Sequence, residues 1–254
     1  MTSKSLLAAA VVLGIATFAD AAERDTRVFE MRTYYAPPGR LDDLHARFRD
    51  HTLPLLDKHG LTSIGYWTPI DNVDNKLIFV LAYPSREARE EAWKAFVADP
   101  DWQQARKVTE ADGPIVGKIE SVLLAATDYS PVVQPALVGD RVFELRTYVA
   151  SQGNLGNLNA RFREHTTRLF EKHGMTNVVY WCPIEGQPGA GEQLIYLLAH
   201  PSVDAAKASF DTFRTDPAWI EARAASEEKA GGSLTAPGGV RSEFLQATDY
   251  SPLN

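Results

Sequence analysis

The chain has 254 residues, of which 44% are hydrophobic and 23% charged, and a formal net charge of −7. These are the proportions of a soluble globular protein, and a modestly acidic, mixed surface argues against nucleic acid or an anionic membrane as the main partner. The single cysteine, Cys182, excludes an intramolecular disulfide.

Residues 1–21 hold Lys4, an apolar stretch from Leu6 to Phe18, and then Ala19-Asp20-Ala21. This is the layout of a cleavable secretory signal, and the stretch falls short of the ~20 residues of a spanning helix. The expectation is a periplasmic or secreted protein with a mature start at Ala22 and no stable membrane insertion. An uncleaved anchor is the alternative.

Val28 to Tyr35 is rich in β-branched and aromatic residues and predicts a strand. After Pro38 the period changes: Leu41, Leu44, Phe48, Thr52 and Leu55 fall at helical spacing, and Gly60 after Lys58-His59 supplies the stop. Ile64 to Thr68 and Leu77 to Tyr83 predict two strands joined through a turn at Asp71, Asn72 and Asp74. Ser85 caps a second helix that Asp99-Pro100 interrupts, with a short helical stretch around Trp102. Ile115 to Leu124 predicts the last strand.

The series then repeats. Residues 27–70 recur at 141–184 with a constant offset of 114 and 26 of 44 positions identical, and ATDYSP closes each copy at 126–131 and 247–252. The period exceeds the ~20–50 residues of a solenoid unit, so each copy is expected to be a small domain. The expected organisation is a signal at 1–21, domain one at 27–131, a linker at 132–140 and domain two at 141–254. The order β-α-β-β-α-β predicts α+β architecture, two tandem ferredoxin-like units. With both helices on one face of each sheet, the units are expected to pair face to face through the open faces, either within one chain or across a homodimer.

Strand alternation puts Phe29, Met31 and Thr33 on one side of the first strand and Glu30, Arg32 and Tyr34 on the other. The apolar side is expected to meet the helices. Glu30, Arg32 and Tyr34, repeated as Glu144, Arg146 and Tyr148, would then project from the open face into a polar pocket. There Arg32 and Arg146 bind a carboxylate, enolate or similar oxyanion, Glu30 and Glu144 orient it or move a proton, and the tyrosines donate hydrogen bonds. Equally, the charges could pair with neighbouring strands or meet water.

His51 and His165, at the edge of the helix's apolar stripe, are candidate acids or bases, or else cap a packing boundary. Tyr66-Trp67 and Tyr180-Trp181 place aromatics on both sides of the second strand, so one of each pair lines the pocket or packs the core. His59 and His173 fit a helix C-terminus. Cys182 has Thr68 at the equivalent place and reads as a packed side chain. With no HExxH, no Cys/His metal spacing, no P-loop, no Rossmann glycines and no GxSxG, no metal site and no cofactor is predicted.

VFELRTY, the glycine before the first helix (PPGRL, SQGNL), RFREHT…LFEKHGM, YW-x-P, LIYLLAHPS, DP-x-W and the closing ATDYSP together resemble the NIPSNAP family over nearly all of the mature chain. The resemblance implies the dimeric α+β barrel fold. The wider superfamily includes cofactor-free monooxygenases, isomerases and haem-handling proteins, and some family members are mitochondrial interaction proteins. The secretory signal departs from that mitochondrial setting, so those partner roles are not carried over. The expected function is a small-molecule-binding barrel for an anionic or aromatic ligand, with cofactor-independent enzymatic activity left open. The alternative is a non-enzymatic interaction and assembly module.

Overall fold

The computed structural model describes residues 24–134 and 139–254. The expected signal at 1–21 and residues 135–138 of the expected linker lie outside them. The first copy runs through β1 (Val28–Tyr35), α1 (Leu41–Arg47), a π-helical turn (Phe48–Thr52), α2 (Leu53–Lys58), β2 (Thr62–Pro69), β3 (Lys76–Tyr83), α3 (Arg86–Ala98), α4 (Pro100–Thr109) and β4 (Lys118–Ala126). The second repeats it through β5 (Val142–Ala150), α5 (Leu155–Arg161), a π-helical turn (Phe162–Thr166), α6 (Thr167–Lys172), β6 (Thr176–Pro183), β7 (Gln193–His200), α7 (Val203–Thr215), α8 (Pro217–Ala230) and β8 (Thr235–Ala247).

Local chemistry sets the boundaries. Ser85 and Ser202 accept the backbone N–H of Ala88 and Ala205, and so cap α3 and α7. Asp99 and Asp216 cap the next helices in the same way, each followed by a proline that has no N–H to satisfy. Gly60 and Gly174 take the positive φ that ends α2 and α6. Each π turn carries one extra residue, and its threonine closes it: Thr52 donates to the Arg47 carbonyl and Thr166 to that of Arg161, both at 3.1 Å.

The two copies do not form separate ferredoxin-like domains packed face to face. All eight strands join in one closed antiparallel barrel, in the order β1-β3-β2-β8-β5-β7-β6-β4. Each copy supplies a run of four with β2 and β4, or β6 and β8, at its edges, and the edges are where the copies meet. Trp67 pairs with Ala247 and Pro69 with Leu245 at one seam, Leu124 with Pro183 and Ala126 with Trp181 at the other. The physical reason is the edge strands: face-to-face stacking would leave four of them with unpaired backbone groups, whereas edge-to-edge closure satisfies them all.

Closure also decides which side of β1 is inside. Phe29 and Met31 point into the barrel, with Trp67, Val80, Phe143, Trp181, Leu197 and Leu245. Eight strands leave an interior that side chains fill, so it takes the apolar set. Glu30, Arg32 and Tyr34 therefore face the helices, opposite to the expectation, among Phe48, Phe79, Leu81 and Tyr83.

The closing ATDYSP segments explain why one chain can make the whole barrel. Each crosses onto the other copy: Ser251 Oγ accepts the Tyr66 N–H at 2.9 Å, and Ser130 Oγ accepts that of Tyr180 at 2.9 Å. Arg49 chelates Asp249 and Arg163 chelates Asp128 by paired bonds of 2.6–2.8 Å. Among the described residues, no helix is long and apolar enough to cross a membrane.

Candidate functional site

In the first copy the space between the sheet and its helices is a cavity of about 510 Å³. One wall grows from β1. Glu30 is fully buried, and both carboxylate oxygens are saturated by Arg32 (2.5 Å), Arg89 (2.7 and 2.9 Å), Ser121 (2.6 Å), Tyr83 (2.8 Å) and Trp93 (3.0 Å). Burial alone would raise this carboxyl. The hydrogen bonds and charges of Arg89 and Arg32, with Ser121, outweigh it and hold the group at about 2.

Arg32 is oriented by that carboxylate and by the Tyr34 hydroxyl at 3.3 Å, and its guanidinium lies 4.6 Å from the Trp93 ring centroid. Its Nε is buried and has no hydrogen-bond partner among the described residues. The facing wall comes from the end of α1, the π turn that follows it, and α4 with its C-cap. Arg47, 3% exposed, donates to Glu110 at 2.7 Å and stacks 5.2 Å from the Trp102 ring, and its Nε is likewise unpartnered. Arg106 also holds Glu110, at 3.0 Å. Glu30, buried, and Glu110, half-buried, are thus each shared between two arginines, which leaves the cavity walls with a positive excess. Phe48, Phe79 and Phe96 complete an aromatic lining.

The equivalent space in the second copy measures about 230 Å³. Arg161, Trp219, Arg223 and Glu227 repeat the wall of Arg47, Trp102, Arg106 and Glu110, but Arg161 stands 3.7 Å from Glu227. Here Phe170 replaces Leu56 and Tyr196 replaces Phe79. Among the described residues Glu144 is held by Arg146 and, at 3.2 Å, by His200 alone, because Ala206 stands where Arg89 does and Phe210 where Trp93 does. Burial would raise the Glu144 carboxyl too, and its bonds to His200 and Arg146 turn the net direction downward.

The other sequence candidates lie elsewhere. His51 is exposed and His165 half-buried on the outer side of the π turns, and neither borders a cavity among those described. Outward direction follows from the turn, which spends its inward positions on Phe48 and Thr52, or Phe162 and Thr166. Trp67 and Trp181 point into the barrel, while Tyr66 and Tyr180 stack against Phe79 and Tyr196 at 5.5 and 5.1 Å in the helix-side cores; none of the four lines a cavity. His59 and His173 bond the capping carboxylates Asp99 and Asp216, each at 2.7 Å. Cys182 packs beside Asn159, and burial pushes its thiol up. No cluster of His, Cys, Asp or Glu among the described residues could hold a metal ion.

Arg47, Trp93, Trp102 and Glu110 were missed by sequence reasoning. A signal existed for two of them: Arg47 is a charge on the apolar stripe of Leu44 and Phe48 and recurs as Arg161, and the tryptophan of DP-x-W recurs as Trp219.

No curated protein matches the chain. A NIPSNAP domain protein from Burkholderia xenovorans is 26% identical and aligns over 41% of this chain and 98% of its own, with a TM-score of 0.37. Structures that align over most of the chain include an anthrone oxidase-like protein (16% identity, 91% of this chain and 95% of its own, TM-score 0.57) and a candidate monooxygenase from Lactobacillus acidophilus (11%, 88% and 94%, TM-score 0.53). At those identities the likeness is one of fold alone. The NIPSNAP family profile matches residues 29–131 and again 143–252, so the chain belongs to the NIPSNAP family, as two tandem copies.

Proposed function

We propose that the protein binds a small aromatic or acyl anion in the cavity of its first half. The supporting observation is the pairing of Arg32 and Arg47, each stacked on a tryptophan and each with an unpartnered Nε, at the walls of a cavity that Phe48, Phe79 and Phe96 also line. A desolvated guanidinium with a free N–H gains a charge-assisted hydrogen bond from a carboxylate, enolate or phenolate, while the rings supply apolar area for a planar body. The volume lies in the ordinary range for small-molecule sites, ~300–1,000 Å³.

In this reading Glu30 positions Arg32 and does not transfer protons. A carboxyl held at about 2 with both oxygens saturated is a poor base near neutrality. Arg32 and Arg47 could equally stabilise an enolate or phenolate, the charge that cofactor-independent oxygenation of an aromatic ketone requires, and the anthrone oxidase-like structure shares this barrel. The N-terminal segment supports a periplasmic or secreted setting.

Native mass spectrometry of the protein purified from its own host tests the proposal. A recurring extra mass is expected on the wild type. Arg32→Met with Arg47→Met should remove it while leaving a folded barrel. An adduct that survives the double substitution would place the ligand elsewhere. A bare mass, with 2-naphthoate failing to bind, would favour a protein whose barrel serves assembly alone.

A further inference from the structure

Arg146 and Arg32 occupy the same place in the two copies, and their Nε groups meet different fates. Arg32 lies opposite Phe79 on the neighbouring strand, and Arg146 opposite Tyr196. The Tyr196 hydroxyl accepts from Arg146 Nε at 2.9 Å, whereas Arg32 Nε has no partner among the described residues. Arg32 lines the cavity of the first half; Arg146 is absent from the lining of the second.

The structure assigns Tyr196 the part of a built-in occupant. Its hydroxyl oxygen sits on Arg146 Nε where, resting on the reading proposed above, a ligand oxygen sits on Arg32 Nε. In the second half Arg161 Nε is left unpartnered but Arg146 Nε is not, so the pair of free guanidinium groups that makes the anion site exists in the first half alone, and residue 79 is the specificity-determining position: phenylalanine leaves the arginine free to a ligand, and tyrosine satisfies it internally. Burial makes the difference decisive. An unpaired buried donor carries a desolvation penalty that an incoming acceptor relieves, and a donor already bonded has nothing to gain. Burial also pushes the Tyr196 phenol well above its ordinary range, so the occupant stays a neutral hydroxyl. The second half is further closed by Phe170 in place of Leu56.

Two readings on the full chain test this. The first needs no ligand: hydrogen exchange of the arginine Nε–H groups by NMR. Arg146 is expected to exchange slowly and Arg32 quickly. Tyr196→Phe should release Arg146, and Phe79→Tyr should protect Arg32. The second is calorimetric titration with 2-naphthoate, with its neutral alcohol as control. The wild type should bind one equivalent of the anion, and Phe79→Tyr should weaken it about tenfold or more. Arg146 remaining protected in Tyr196→Phe, or two equivalents bound by the wild type, would overturn the assignment. If exchange follows expectation but naphthoate does not bind, the anion pocket itself fails and the tyrosine contact reduces to packing.

Discussion

The two halves share a backbone plan and differ in how completely they satisfy one buried carboxylate. In the first, Glu30 is wrapped by arginines, an indole and hydroxyls. In the second, Glu144 keeps only Arg146 and His200. Duplication made this divergence tolerable. Barrel closure depends on strand edges and interior packing, which both halves retain, whereas the helix side of each sheet can change its polar content independently. The first half spends that freedom on a larger cationic cavity and the second narrows it.

The sharpest test of the contrast is to remove each carboxylate. Glu30→Ala leaves Arg32 and Arg89 without their shared anion and should cost roughly 3–5 kcal/mol in denaturant unfolding. Glu144→Ala strips fewer donors and should cost clearly less. Equal losses would mean that the richer network adds nothing.

Acid should separate the halves next. The Glu30 carboxyl is depressed from 4.5 to about 2 in the folded protein. Its contribution is complete above pH 4.5 and is lost as pH falls toward 2, a change of about 3 kcal/mol for a group this buried. Stability measured between pH 5 and 2.5 should therefore fall steeply in the wild type and less steeply in Glu30→Gln. Glu144→Gln should flatten the profile less than Glu30→Gln does. A Glu30→Gln profile parallel to the wild type would show that Glu30 is not what acid attacks.

A smaller effect concerns the cavity. Leu56→Phe makes the first half resemble the second at a lining position and should weaken 2-naphthoate binding by about 1–2 kcal/mol through lost space, with little change in fold. Unchanged affinity would mean that volume does not limit this site.

How much of this was written in the sequence depends on range. The repeat, the βαββαβ order, the cap at Ser85 and the break at Asp99-Pro100 depend on neighbours in the chain and were readable. Limits were close but shifted: the strand expected at Ile115 begins at Lys118, and the stretch around Trp102 is a full helix, α4. The side to which Glu30, Arg32 and Tyr34 turn was not readable. Alternation fixes that they share a face, but the strand beside them, KLIFVLAY, is apolar on both faces and votes for neither. The choice is made by barrel closure, at two seams between the copies, one of which joins strands more than a hundred residues apart. Arg47 was readable in principle as a charge on an apolar stripe. Its π turn was not, since nothing in FRDHT distinguishes a wide turn from an ordinary one. The exchange of Phe79 for Tyr196 stands plainly in the aligned copies, but it acquires meaning only beside Arg32 and Arg146.

The least effect is expected where the halves are most alike. Arg49 reaches Asp249 and Arg163 reaches Asp128 with the same paired geometry, each tying a closing segment to the opposite copy. These groups are exposed, so solvent and salt screen them and each pair should contribute little. Asp249→Asn and Asp128→Asn should therefore lower the unfolding midpoint slightly, by matching amounts, and the difference should vanish in high salt. The symmetry is the informative part, because it separates the seam from the pocket. If one substitution proves much more harmful than the other, divergence between the copies has reached the seams. The contrast between a narrowed half and an open half would then be a property of the whole barrel and not of two independent helix layers.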